Sequence, residues 1–383
     1  MSTIIYVGGF EMPDKNAAAH RVLNNAKIFR KLGYRVVFCG INKELEKNPG
    51  HPAEMGDFYS WPSVYPRRKK DWIRHLLDFS HIQRVLDTYQ EDIRYVIAYN
   101  MHAVPLFHLL RYCHQRNIRI IADATEWYEN KFSFHPVKFI MFLDTNLVMR
   151  YLQKKTDGMI AISSYLKNYY QSSVSNIVVV PPLVDLKEEK WHQKRSASCK
   201  CVEFVYSGTI DTGKDKDKLG EIIQCFSGVS SDKPYLFTII GLTKKQFIET
   251  FPESASSLET LGTKVRFMGR LSHTESISAL LRADYCIFIR NRSRKNMAGF
   301  PTKFVECYTS GIGIITNSIS DIDAYFPEES GNVILREYDR TALQEILQKA
   351  IENGKDFQTR KLRRDFDYHV WKDAFFKFFD MLN

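Results

Sequence analysis

Two hydrophobic periods alternate along the chain. Short, β-branched apolar runs read as buried strands at Thr3 to Val7, Arg35 to Cys39, Tyr95 to Ala98, Arg119 to Ala122, Gly158 to Ile162 and Ile177 to Val180. Between several of them lie segments of helical period, such as Ala17 to Leu32, closed by Gly33. Strands that alternate with helices predict a parallel sheet covered on both faces. A second series follows Pro181-Pro182, with strands at Val202 to Tyr206, Leu236 to Ile240, Lys264 to Phe267, Tyr285 to Ile289 and Gly313 to Thr316. The charged stretch Lys187 to Lys200 between the series has no strand period and reads as a linker. The pattern therefore predicts an α/β protein of two Rossmann-like domains, 1–186 and 201–383, joined by 187–200, with the last helices free to pack back on the first domain. Open sheets of this kind bind ligands beyond the carboxyl ends of their strands, so a cleft between the halves is where chemistry is expected.

Composition narrows the partners. The 383 residues are 44% hydrophobic and 26% charged, which excludes disordered and low-complexity classes. Lys and Arg number 54 against 44 Asp and Glu, a net charge of +10 that favours phosphorylated substrates, acidic lipid or nucleic acid. No nucleic-acid motif accompanies the charge, and the basic residues are not interleaved with aromatics on a sheet, so nucleic acid is set aside. The seven cysteines are scattered and read as reduced core thiols. Cys199 and Cys201 have no second ligand pair at zinc spacing, so no metal is expected. The start, MSTIIYVGGF, lacks the form of a secretion signal, and no stretch reaches the roughly 20 apolar residues of a membrane span. The expected location is cytoplasmic, with peripheral attachment at the inner membrane face left open.

Several segments carry candidate chemistry. Gly8-Gly9 ends the first strand ahead of a helix, where glycines let an anionic ligand approach the backbone; a tight turn without a ligand reads equally well. Ser207-Gly208-Thr209 ends the first strand of the second series, with Lys214 and Lys216 following, a pattern suited to a diphosphate or to a solvated turn. Asp215-Lys216-Asp217 spells a possible cation site, but the two carboxylates suit a helix N-terminus better. The segment Ala298 to Gly311 predicts a helix from about Pro301 to Gly311, with Glu306 placed to accept hydrogen bonds from a ribose diol and the amides of Gly299 and Phe300 aimed ahead of the helix.

On these residues the chain resembles the family 4 retaining glycosyltransferases of the GT-B fold. Gly299 to Thr316 is similar to the family's donor motif, in which Glu-x7-Glu precedes a small-residue turn and a strand, and Glu306 matches the second Glu. The other anchors follow in order: Gly8-Gly9, Tyr99-Asn100-Met101-His102, Asp123 to Trp127, Ala161 to Leu166, Pro181 to Asp185, Ser207 to Thr209 and Met268 to Leu271. The resemblance implies a donor site of Gly208, Thr209, Lys214, Lys216, Arg290, Gly299, Phe300, Pro301, Thr302, Lys303 and Glu306, with Asn100, His102 and Glu126 on the catalytic side and Gly8 and Gly9 in an acceptor or phosphate loop. It implies a nucleoside-diphosphate sugar as donor, a glycan or lipid-linked acceptor of surface polysaccharide or glycolipid synthesis, and neither metal nor protein nucleophile. Three departures stand out: Ala298 replaces the first Glu, Thr209 replaces the usual Arg, and Tyr99 stands where the family has a histidine, with His102 three residues on. A sugar-nucleotide 2-epimerase of the same architecture, or a non-catalytic binding protein that has lost the donor Glu, are the alternatives. Finally, Arg67, Arg68, Lys69 and Lys70 lead into a basic amphipathic helix running to about Leu86, and Phe132 to Tyr151 is a second apolar segment. Both suit an anionic membrane surface, and the first equally suits packing on its own domain.

Overall fold

The strand and helix periods resolve into two main sheets, parallel but for one edge pair, each wrapped by its own helices. The structure is a computed structural model that describes residues 1–383 apart from 14, 129, 131, 194–200, 210–216, 327–331 and 355–360 and the side chain of residue 69. It divides into two units: Met1–Asp185 with Met297–Phe300 and Asp367–Asn383, and Leu186–Asn296 with Pro301–Phe366.

In the first unit, ten strands are β1 (Thr3–Gly8), β2 (Arg35–Cys39), β3 (Ile41–Asn42), β4 (Ala53–Met55), β5 (Phe58–Ser60), β6 (Ser63–Val64), β7 (Ile93–Tyr99), β8 (Arg119–Ala124), β9 (Gly158–Ala161) and β10 (Asn176–Val179). The main sheet runs β10-β9-β8-β7-β1-β2-β5-β4, with β3 and β6 paired separately. All pairs are parallel except β4 with β5. Its helices are α1 (Ala17–Lys31), α2 (Lys69–Leu77), α3 (Ser80–Tyr89), α4 (Ala103–Gln115), α5 (Pro136–Leu147) and α6 (Ser164–Tyr170). Helix α1 begins where Asn16 Oδ1 accepts from the Ala19 amide at 2.8 Å, an N-cap that satisfies one of the helix's orphan donors.

The second unit holds β11 (Val202–Ser207), β12 (Tyr235–Ile240), β13 (Val265–Gly269), β14 (Tyr285–Ile287), β15 (Gly313–Asn317) and β16 (Val333–Leu335) in the order β13-β12-β11-β14-β15-β16, all parallel. The remaining helices are α7 (Leu219–Ser227), α8 (Lys244–Thr250), α9 (Ala255–Leu261), α10 (His273–Arg282), α11 (Arg294–Ala298), α12 (Thr302–Thr309), α13 (Arg340–Asn353) and α14 (Lys372–Asp380). The last of these returns to the first unit, where Phe375 and Phe379 lie edge-on to Phe29 at 5.1 and 5.4 Å and Phe379 lies 4.7 Å from Tyr95. Burial of these aromatic side chains contributes roughly 1.5 to 3 kcal/mol each, so the C-terminal segment is part of that core.

Three sequence readings need correction. The expected single helix over Arg67 to Leu86 is two helices, because Asp78 interrupts it: its Oδ1 accepts from the Ser80 amide at 2.8 Å and its own backbone is extended. The apolar stripe divides accordingly, with Val85 and Leu86 buried and Trp72, Ile73 and Leu77 exposed. Part of the expected linker is packed, since residues 189–192 form a short helical turn that buries Trp191 in the second unit. The cysteine reading also needs amendment: Cys39, Cys113, Cys225, Cys286 and Cys307 are buried free thiols, but Cys201 is disulfide-bonded.

Candidate functional site

The second unit brings several donor-side candidates together at the carboxyl end of β11. Gly208 follows that strand, with its amide donating to the Ile240 carbonyl at 3.0 Å. A Cβ on Gly208 would meet Lys303 Nζ and the Tyr206 hydroxyl, each at 2.8 Å, so a larger residue there would have to displace the ends of those two side chains. Lys303 and Arg290 converge on one carboxylate, Asp217: Arg290 Nε donates to Oδ1 at 2.7 Å, Lys303 Nζ pairs with Oδ2, and the Tyr206 hydroxyl donates to the same oxygen at 2.9 Å. All three charged groups are buried. Burial alone would raise the Asp217 pKa, but Lys303 and Arg290 more than reverse it and hold the carboxyl well below its usual range. Among the described residues, two cations on one anion leave a net charge of +1 under a glycine-ended strand.

Asp217 was expected to stabilise a helix N-terminus. Lys218, at a φ of 50°, is instead the N-cap of α7, and the Asp217 carboxylate is taken by Arg290 and Lys303, whose charge outweighs a helix-end dipole. Lys214, Lys216 and Asp215 lie outside the described residues. Thr209 and Thr302 are exposed, and Thr302 opens α12 behind Pro301 with no side-chain cap. Glu306, one turn on from Lys303 along α12, is half-buried with Oε1 3.0 Å from His273 Nε2. Gly299 and Phe300 belong to the first unit, where the neighbouring Ala298 is fully buried and its carbonyl accepts from Ser163 Oγ at 2.6 Å.

In the first unit the carboxyl ends of β1, β2 and β7 open into a cavity of about 900 Å³, lined among others by Gly8, Gly9, Asn100 and His102. Gly8 has a structural cause of its own: its φ is +147° and a Cβ would lie 1.8 Å from the Tyr99 carbonyl oxygen, so the strand crossing needs glycine. Gly9 is exposed, and a Cβ there would make only an ordinary contact with the Asn100 carbonyl at 3.7 Å. Asn100 takes a left-handed φ of 45°, and its Oδ1 accepts from Thr125 Oγ1 at 3.4 Å. His102 is the N-cap of α4; its Nδ1 lies 2.9 Å from Asp144 Oδ2, and Asp144 Oδ1 accepts from the Ala103 amide at 2.6 Å. A neutral His102 that donates through Nδ1 presents Nε2 as a proton acceptor, the arrangement that orients a general base.

Glu126 does not join this wall. It is half-buried after β8 and adds to the rise of the Tyr99 hydroxyl pKa, which burial raises first and the Asp123 carboxylate next. Tyr99 itself is buried and reaches about 12. The sequence reading missed Asp144, and it named Asp217 and Asp123 in other roles: Asp217 at a helix N-terminus, and Asp123 as the start of an anchor, where the structure has it fully buried against the Arg21 guanidinium at 2.8 Å and the Tyr6 hydroxyl. Asp144 had a signal, being the one acidic residue in the apolar run of α5.

No protein-family model matches the sequence, and no curated protein matches it. Solved structures do. The sucrose-phosphate synthase of Thermosynechococcus elongatus aligns over 100% of this chain and 99% of its own with a TM-score of 0.71 at 12% identity. The fold is GT-B. The apo lipopolysaccharide outer core galactosyltransferase WaaB aligns over 99% of each chain, with a TM-score of 0.63 and 14% identity. Anabaena Alr3699/HepE in complex with UDP aligns over 100% of each, at 0.65 and 10%. These neighbours place a two-sheet α/β architecture of this order over the full length of the chain.

The surface of the first unit adds two observations. Helix α5 and the residues before it expose Phe134 at 93%, with Val137, Ile140, Met141, Leu143 and Leu147 also exposed. No helix among the described residues is long and apolar enough to cross a membrane. One group of possible ligand atoms occurs among the described residues, Asp185, Asp367 and His369. Lys27 Nζ lies 2.7 Å from Asp185 Oδ2 and His369 Nδ1 lies 2.9 Å from Asp367 Oδ1, while His369 Nε2 is buried without a hydrogen-bond partner among the described residues.

Proposed function

We propose that the protein is a retaining glycosyltransferase that moves a sugar from a nucleoside-diphosphate sugar to a glycan or lipid-linked acceptor in surface polysaccharide or glycolipid synthesis. The observation that carries this reading is the Gly208, Arg290 and Lys303 arrangement around Asp217: a net positive, buried cluster under a glycine-ended strand is suited to a leaving diphosphate. The exposed N-terminus of α12, ahead of Glu306, adds amides of the right polarity. Glu306 is assigned to the ribose hydroxyls, with His273 holding its carboxylate in place. The UDP complex of HepE supports a uridine donor.

On the acceptor side, His102 Nε2 is assigned as the group that takes the acceptor proton, with Asp144 orienting the ring and Asn100 lining the same cavity. Transfer then needs positioning and stabilisation of charge rather than a protein nucleophile, and the scheme is metal-independent. The exposed apolar face of α5, with Ile73 and Leu77 of α2, is assigned to the inner membrane face, which suits a lipid-linked acceptor. The deciding experiment is calorimetric titration of UDP and of a panel of nucleotide sugars, followed by release of the nucleoside diphosphate with and without lipid acceptor. Binding without release in any arm would favour the non-catalytic reading that Ala298 suggests, and turnover of the nucleotide sugar without acceptor would favour an epimerase.

A further inference from the structure

The cavity of the first unit opens beside β1, which stands between β7 and β2 where the strand order reverses, the place where open α/β sheets take ligands. Its lining carries five cationic side chains, Lys47, Arg67, Arg68, Arg74 and Arg84, against three acidic ones, Glu46, Asp71 and Asp78. Two of those acids already serve the local backbone: Asp71 Oδ2 accepts from the Arg68 amide at 3.0 Å, and Asp78 Oδ1 accepts from the Ser80 amide at 2.8 Å. Arg67 is held by the Lys43 carbonyl at 2.7 Å, a contact that fixes the guanidinium without neutralising it. Among the described residues no hydrogen bond or ion pair engages the side chains of Lys47, Arg74 or Arg84. Their charge is therefore available to a ligand, and a concave low-dielectric wall concentrates it.

The opposite character lies alongside. Tyr65, Trp72, His75 and His102 form an edge-to-face series along the cavity, with ring centres 5.7, 6.0 and 5.5 Å apart. Burial, and then the neighbouring His102, lower the His75 pKa, so near neutral pH this ring joins the wall as an uncharged group. Cations with open donors beside an aromatic wall suit a ligand with a compact anion at one end and an apolar or glycosyl body at the other. A carboxylate would engage one guanidinium, whereas a phosphate offers oxygens to several at once.

We propose that this cavity binds the phosphate of a phosphorylated ligand, a phosphate ester or diphosphate joined to a sugar or a prenyl chain. Naming that ligand as the acceptor rests on the glycosyltransferase reading; the phosphate site does not. The site also reassigns Arg67 and Arg68 from a membrane-facing charge patch to a ligand wall.

The test titrates the full chain calorimetrically, at saturating UDP, with inorganic phosphate, glucose 6-phosphate, glucose, and phosphatidylcholine vesicles with and without polyprenyl phosphate. The wild type is compared with Arg74→Ser/Arg84→Ser and, separately, with Arg84→Glu. Both changes fall at exposed positions, so melting temperatures should stay at the wild-type value. Phosphate-bearing probes should bind while glucose and plain vesicles do not, and the double variant should lose roughly a hundredfold in affinity, about tenfold per arginine. Preference for glucose 6-phosphate identifies a free sugar phosphate, and preference for the loaded vesicles a lipid-linked one. Absence of phosphate binding, equal affinity in both variants, or phosphate binding that appears only when UDP is withheld would overturn the site. Failure of UDP itself to bind would overturn the transferase reading and leave the phosphate result standing.

Discussion

Replacing Asp217 with asparagine keeps the shape of the side chain and removes its charge. Arg290 and Lys303, both at least nine-tenths buried, would then face each other with no counterion. Removing one partner of a buried ion pair costs about 3 to 5 kcal/mol, because the stranded charge keeps its desolvation penalty. For a unit of this size each kcal/mol shifts the melting temperature by about 2 to 4 °C, so the second unit of Asp217→Asn should melt roughly 6 to 20 °C lower. The same reasoning makes a second, opposite prediction. If the two cations hold a diphosphate, UDP supplies the missing negative charge, and its stabilising shift should be larger in Asp217→Asn than in the wild type. Acid should mimic the substitution. The folded-state pKa is depressed, so this stability is present in full above the unfolded value of about 3.9 and is lost as pH falls below it toward the lower folded value. Differential scanning fluorimetry with and without UDP, from pH 7 down to pH 3, reads all three effects. A melting temperature within about 1 °C of wild type would refute the counterion role, and an unchanged UDP shift would refute the link to the donor.

Glu306→Ala should weaken UDP binding by roughly 1.5 to 3 kcal/mol, the scale of a hydrogen bond to a charged group; unchanged calorimetric affinity in a folded variant would sink the ribose assignment. Turnover should persist in excess EDTA, and loss of activity that magnesium or manganese restores would show the charge scheme to be wrong. Gly8→Ala should destabilise the first unit by on the order of 3 kcal/mol, since the new Cβ would press on the Tyr99 carbonyl; a denaturation midpoint equal to wild type would contradict this. Sedimentation with phosphatidylglycerol vesicles should fall sharply for Ile140→Ser/Met141→Ser, and equal pelleting of variant and wild type would remove α5 from the membrane assignment.

The strand and helix sequence was legible because each buried parallel strand is a continuous apolar run and each helix carries its own local start and stop. Arg35–Cys39 was placed to the residue, and most other central strands to within one or two. Short edge strands such as Val333–Leu335 escaped, since three residues show no period. The break at Asp78 escaped too: whether an Asp side chain caps a turn or faces solvent depends on geometry that apolar spacing does not encode. Candidate cations and the donor helix were visible as residue types at strand ends and a helix start. Their pairing was not. Asp217 meets Lys303 across 86 residues and Arg290 across 73, and Tyr6 meets Asp123 across 117. The alternation, the two sheets and the stock of charge follow from local period and composition, so they can be read along the chain. Which charges neutralise one another and which stay open to a ligand emerges on folding, because Coulomb interaction and desolvation depend on distance in space, and the folded chain sets that distance.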